Sequence, residues 1–83
     1  MSGKAAHWSR RIRVDPGVLG GKPVVRGTRI AVELVLECLG EGMSMDDICA
    51  DYGIRPADVR AAASYAHAVL AGEEAALPAG ARP

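Results

Sequence analysis

The sequence predicts a mainly α fold, in which a short N-terminal β-ribbon precedes a three-helix helix-turn-helix domain that dimerises. Three observations carry this expectation. Residues 11–14 (RIRV) alternate basic and apolar with period two, the signature of a half-buried strand. From Val32 onward the apolar period becomes that of a helix. Glycine, serine and proline then punctuate residues 40–56 in the order that ends one helix and starts the next. The dimer follows from a thin core. The 83 residues are 49% hydrophobic but include no Phe, one Trp and two Tyr, and a chain this small and alanine-rich gains by burying surface against a partner.

Residues 1–9 read as a flexible leader, residues 10–72 as the folded domain and residues 73–83 as a flexible tail. After the first strand, residues 15–21 (DPGVLGG) have turn chemistry, opened by Asp-Pro and loosened by Gly17, Gly20 and Gly21. Residues 23–30 (PVVRGTRI) resume an extended run in which Gly27 marks a turn or bulge. In the first helix Val32, Val35, Leu36 and Leu39 share a face that Leu34 and Cys38 widen, and Gly40 and Gly42 end it. Glu33, Glu37 and Glu41 form an acidic stripe whose repulsion a basic neighbour would relieve.

Ser44 caps the second helix in an S-x-x-D pattern, with Asp46 and Asp47 in its first turn. Ile48, Cys49 and Tyr52 share a face, and Gly53 supplies a left-handed stop. Pro56 opens the third helix, whose expected apolar face is Val59, Ala62, Ala63, Ala66, Val69 and Leu70, closed by Gly72.

The formal charge of zero conceals an asymmetry. Residues 1–29 carry seven cations and one acid; residues 30–83 carry three cations and nine acids. Such a split predicts a basic face for phosphate, or neutralisation within the monomer or across a dimer. Cys38 and Cys49 have no His or Cys near enough in sequence to make a metal site and read as reduced thiols, which fits a cytoplasmic protein. No apolar run reaches the ~20 residues that span a membrane.

Residues 45–63 have helix-turn-helix punctuation, with a small residue four before the glycine and apolar residues at Ile54 and Val59. On the polar face of the third helix, Arg55, Arg60, Ser64 and His67 are the candidate DNA contacts. The charge balance there counsels against it, with two arginines against four aspartates between residues 44 and 71. No nucleophile, base or paired acid converges in the pattern, and the lysine of GGKP lacks the remainder of a phosphate-loop motif, so no enzyme, cofactor or metal is expected.

The wording of three segments goes further. I-x-x-D-P-x-x-x-G-G-K-P-V-V-R-G-T-R-I-x-V, then G-x-S-x-D-D-I-x-x-D-Y and D-V-x-A-A-x-x-Y-A, resemble the prokaryotic family catalogued as domain of unknown function 433 and described as VapB-like antitoxins. The resemblance covers residues 12–70. It implies a dimer with a β-ribbon and a helix-turn-helix, an antitoxin that neutralises a PIN-like ribonuclease toxin by direct binding and binds operator DNA as an autorepressor.

The matching motif residues are Gly21, Lys22, Pro23, Arg26, Gly27, Thr28, Arg29 and Ile30. The DNA-binding candidates are Arg11, Arg13, Lys22, Arg26, Arg29, Arg55, Arg60 and Ser64. The toxin-binding candidates are Glu33, Glu37, Glu41, Glu73 and Glu74. The alternative is a protein-interaction or dimerisation module without DNA binding, its arginines neutralising the acidic stripe.

Two departures stand out. Ala31 replaces a common proline, which would let the first helix begin a residue earlier. Arg55 replaces a Thr or Ser cap before the third helix, a loss worth ~1 kcal/mol.

Overall fold

Alternation at residues 11–14 and the turn chemistry that follows produce a two-stranded antiparallel ribbon, β1 (Ile12–Val14) and β2 (Pro23–Val25). The computed structural model of the chain describes Trp8 and residues 10–72; the expectations for the tail, for Glu73 and Glu74, and for the rest of the leader lie outside them. The register pairs Ile12 with Val25, Arg13 with Val24 and Val14 with Pro23. Directly opposed residues share a face, so Ile12 and Val25 enter the core together while Arg13 and Val24 point to the other side.

Between the strands, Asp15 accepts the Gly17 N–H on Oδ1 at 2.9 Å, and the chain tightens through a short turn at Leu19–Gly21. Leu19, Gly20 and Gly21 all have positive φ.

The second turn is built from the motif itself. Thr28 N–H donates to the Val25 carbonyl at 3.0 Å, closing a four-residue turn with Gly27 in its third position at φ +80. That conformation favours glycine. The Thr28 hydroxyl donates to the same carbonyl at 2.8 Å and accepts the Ile30 N–H at 2.9 Å. Val25 N–H donates to the Ile30 carbonyl, and Val24 bridges Ala31, so β2 is flanked on both sides at Val24.

Three helices follow: α1 (Val32–Gly40), α2 (Met45–Tyr52) and α3 (Pro56–Gly72). Ala31 stays extended because it pairs with Val24, so α1 starts at Val32 and not a residue earlier. Gly42 has φ +93, with its N–H on the Leu39 carbonyl and the Met43 N–H on the Cys38 carbonyl, a Schellman ending. Ser44 Oγ accepts the Asp47 N–H at 3.0 Å, and Gly53 ends α2 at φ +68. Both ends are as the sequence predicts.

The core joins Ile12 and Val25 of the ribbon to Val32, Val35 and Cys38 of α1, Ile48 of α2, Ile54, and Val59, Ala61 and Ala62 of α3. Two expectations for α3 need correction. Ala63 is exposed and Leu70 is 67% exposed, whereas Ala61 and Asp58 are buried. Alanines occur around the whole helix, so their pattern could not fix which arc faces inward.

Trp8, expected in the leader, packs on this core. Its ring meets Tyr65 of α3 edge-on, centroids 4.8 Å apart at 82°. Cys38 and Cys49 are free thiols. No described helix is long and apolar enough to cross a membrane, and no metal-ligating cluster of three or more His, Cys, Asp or Glu occurs among the described residues.

Candidate nucleic-acid interface

α3 begins at Pro56, whose fixed φ suits a first helical position, and Arg55 supplies the carbonyl that accepts from Asp58 and Val59. Arg55 has no side-chain acceptor for the open N–H groups of that first turn. Asp58, three residues on, makes the reciprocal contact: its Oδ2 accepts the Arg55 N–H at 2.9 Å, the acidic half of a capping box. Its Oδ1 accepts from Arg11 Nη1 at 3.0 Å. Asp58 is the one acid within α3, and it is turned inward, only 9% exposed.

The outward arc of α3 is therefore Pro56, Arg60, Ala63 and His67, continued by the exposed Leu70, with Arg55 at its start and Ser64 half-buried at its edge. No described acid lies within ion-pair distance of Arg55 or Arg60. Only the inward turn of Asp58 makes this surface acid-free, and a count of charges along the sequence misses it.

The remaining candidate cations divide by what they touch. Arg11 is held by Asp58. Lys22 reaches Glu33 in the first turn of α1 at 2.9 Å, an exposed pair. A lysine of the ribbon thus relieves the acidic stripe at Glu33, while Glu37 and Glu41 remain exposed. Arg26 donates from Nε to the Arg10 carbonyl at 3.0 Å, and its own N–H donates to the Arg11 carbonyl at 2.7 Å, stitching the turn to the chain before β1.

Arg13 pairs with Asp15 at 3.3 Å and is half-exposed. Arg29 is exposed and has no ion pair among the described residues. The fold brings Arg13 and Arg29 together around an open hollow of about 490 Å³ on the ribbon's outer side, whose other walls are Val18, Val24, Gly27 and Thr28.

The motif residues can now be given tasks. Gly21 takes φ +90 before Lys22, which pairs with Glu33 in the first turn of α1. Pro23 opens β2, and Arg26, Gly27 and Thr28 build and tie the turn. Ile30 packs against the core. Arg29 alone has no such local task among the described residues.

A second, apolar cleft of about 350 Å³ opens between α1 and the end of α3, walled by Val32, Leu36, Tyr65, Ala66, Val69 and Leu70, with Lys22, Pro23 and Glu33 completing the lining. In the body of the fold, the Cys38 thiol lies 3.9 Å from the Tyr52 hydroxyl. Hydrogen bonding to Cys38 raises the Tyr52 phenol above its ordinary 10.0, and the Cys38 charge, partial desolvation and the acids Asp51 and Glu37 add to the shift.

A short antiparallel ribbon latched onto three helices, with cations on two exposed surfaces, makes up the described part of the chain. The family described as "Protein of unknown function (DUF433)" matches residues 12–66, and the chain belongs to that family. It is similar to a crystal structure of a DUF433 member protein from Anabaena variabilis ATCC 29413, with 29% identity and a TM-score of 0.63 over 76% of this chain and 67% of that one. No curated protein matches the chain.

Proposed function

We propose that the chain is the antitoxin of a type II toxin–antitoxin module. As a dimer it binds operator DNA and represses its own promoter, and it neutralises a PIN-like ribonuclease toxin by direct binding. The observation that supports DNA binding best is the outward arc of α3. Arg55, Arg60, Ser64 and His67 offer donors to DNA, Ala63 leaves room for close approach, and the helix's one acid is withdrawn into the fold. A helix of this kind following a left-handed glycine suits a major groove.

The resemblance of the motifs supplies the toxin half of the reading. The exposed Glu37 and Glu41 offer charge to a basic nuclease groove, and the apolar cleft beside Leu70 offers the surface that a second copy would cover.

Electrophoretic mobility shift with the chain's own upstream DNA tests the repressor role. Specific binding that falls steeply with salt is expected, and Arg55→Ala with Arg60→Ala should abolish its specificity. No retardation at low salt, alone or with the copurifying partner, removes that role. Recovery of a small nuclease with the tagged chain from its host, and growth arrest when that nuclease is expressed alone, tests the antitoxin role.

One observation favours a module that binds protein and not DNA. Lys22 already neutralises Glu33 within the chain, and if the arginines act likewise across a dimer, Arg26→Ala with Arg29→Ala dissociates that dimer and leaves no DNA affinity to lose.

A further inference from the structure

We propose that the hollow between Arg13 and Arg29 is a seat for one nucleoside phosphate, which reads the phosphate and not the base. Its source as a DNA backbone rests on the DNA-binding reading above; the seat itself does not.

Four features lead there. The hollow, about 490 Å³, falls within the roughly 300–1,000 Å³ of small-ligand sites. Its floor is apolar, formed by Val18 and by Val24, which is 1% exposed. A sugar ring can lie against such a floor.

Its two cations are arginines, whose planar forks suit a tetrahedral oxyanion that accepts from both at once. Arg29 is not held by any described acid. Arg13 is held only by a half-exposed contact of 3.3 Å to Asp15, a kind of pair worth little and easily exchanged for a phosphate.

The fourth feature fixes what the seat ignores. Apart from the arginines, the walls present Val18, Val24, Gly27 and Thr28. The Thr28 hydroxyl already donates to Val25 and accepts from Ile30. Beyond the arginines, the lining side chains hold no free donor, and one lone pair of the Thr28 hydroxyl is all that is left to accept, too little to tell one base edge from another. Contacts to phosphate position a protein on DNA and carry no sequence information of their own.

The test uses the full ¹⁵N-labelled chain with two probes, a duplex of its upstream DNA and adenosine 5′-monophosphate, and follows the amides of Val24, Gly27, Thr28 and Arg29. Fluorescence anisotropy then measures Arg13→Gln, Arg29→Gln and the double variant on the upstream duplex and on a scrambled duplex of equal length. All three variants replace exposed side chains, and circular dichroism checks their fold.

The expected result is that the duplex moves these amides. Each variant weakens both duplexes by the same factor, about tenfold, and the double variant lowers the salt slope by about one and not two, because both arginines share one phosphate. If the duplex binds without moving the amides, or if affinity is lost only for the upstream sequence, the seat is overturned while DNA binding stands. If the duplex does not bind but the mononucleotide moves the amides, the seat stands with a free nucleotide as its ligand and the DNA reading falls. If neither probe moves them and neither binds, both are overturned.

Discussion

Arg11 and Asp58, 47 residues apart in sequence, meet at 3.0 Å, and the same carboxylate accepts the backbone N–H of Arg55. One side chain thus ties the ribbon to the third helix and caps that helix. Its side chain is 13% exposed while that of Arg11 is 39% exposed, so the carboxylate is the partner that depends on the contact. Asp58→Ala should destabilise the fold by about 2–3 kcal/mol, combining a lost charge-assisted bond with a lost cap. Asp58→Asn, which keeps an acceptor for Arg55, should cost less. Urea titration of the three proteins checks the order; equal midpoints would remove the double role.

The turn latch gives a second expectation. Thr28→Val removes both hydroxyl bonds, to Val25 and from Ile30, and should lower stability by about 1–2 kcal/mol, whereas Thr28→Ser should nearly restore it. Gly27→Ala forces a Cβ into φ +80 with nothing within 4 Å to clash. Its cost is purely conformational, about 1 kcal/mol. Thermal melts followed by circular dichroism measure all three.

Trp8 is the sole tryptophan, so its fluorescence reports its packing on Tyr65. Tyr65→Ala should shift the emission to the red and raise acrylamide quenching, because the ring loses its edge-on partner. In the parent chain, unfolding seen by this fluorescence should coincide with loss of helix. A separate, earlier fluorescence transition would mean that Trp8 docks independently of the core.

The Lys22–Glu33 pair is predicted to be nearly silent. Its side chains are 55% and 69% exposed, and pairs in that setting contribute ~0–1 kcal/mol. A double-mutant cycle with Lys22→Ala and Glu33→Ala should give a coupling near the low end, vanishing in high salt. A large salt-resistant coupling would instead show that neutralising the acidic stripe is a principal task of the ribbon.

Tyr52 sets an alkaline limit. Its phenol is raised above 10.0 in the folded chain, so the folded form holds the proton more tightly than the unfolded one. The resulting stability is complete below pH 10 and is lost as pH rises through the folded value. Tyr52→Phe should remove that part of the alkaline slope in denaturation curves measured between pH 9 and 11, while Cys38→Ala should reduce it.

Elements whose signals are local were readable in the sequence. Ser44 and Gly53 announce the ends of α2 because a cap and a left-handed stop need only a few neighbouring residues, and the same holds for Gly27. The Arg11–Asp58 contact was not readable, since nothing near Asp58 in sequence distinguishes a buried acid from a solvated one. That one placement takes Asp58 off the surface of α3, while Asp46, Asp47 and Asp51 of α2 stay exposed. Arg13 and Arg29 were both visible as cations, but their shared hollow depends on strand register and on a turn that returns Arg29 toward β1. Trp8 was misplaced because its partner, Tyr65, lies at the far end of the chain.

The pairing of Val24 with Arg13 on one side and Ala31 on the other has a consequence for self-association. β2, the most apolar strand, is enclosed and cannot template another chain. The outer margin of β1 is only three residues long and carries Arg13 at its centre. Short, charged margins of this kind resist edge-to-edge stacking. A strongly β-forming segment is thereby kept from nucleating fibrils, even in a chain that leaves Leu70 and an apolar cleft open to solvent.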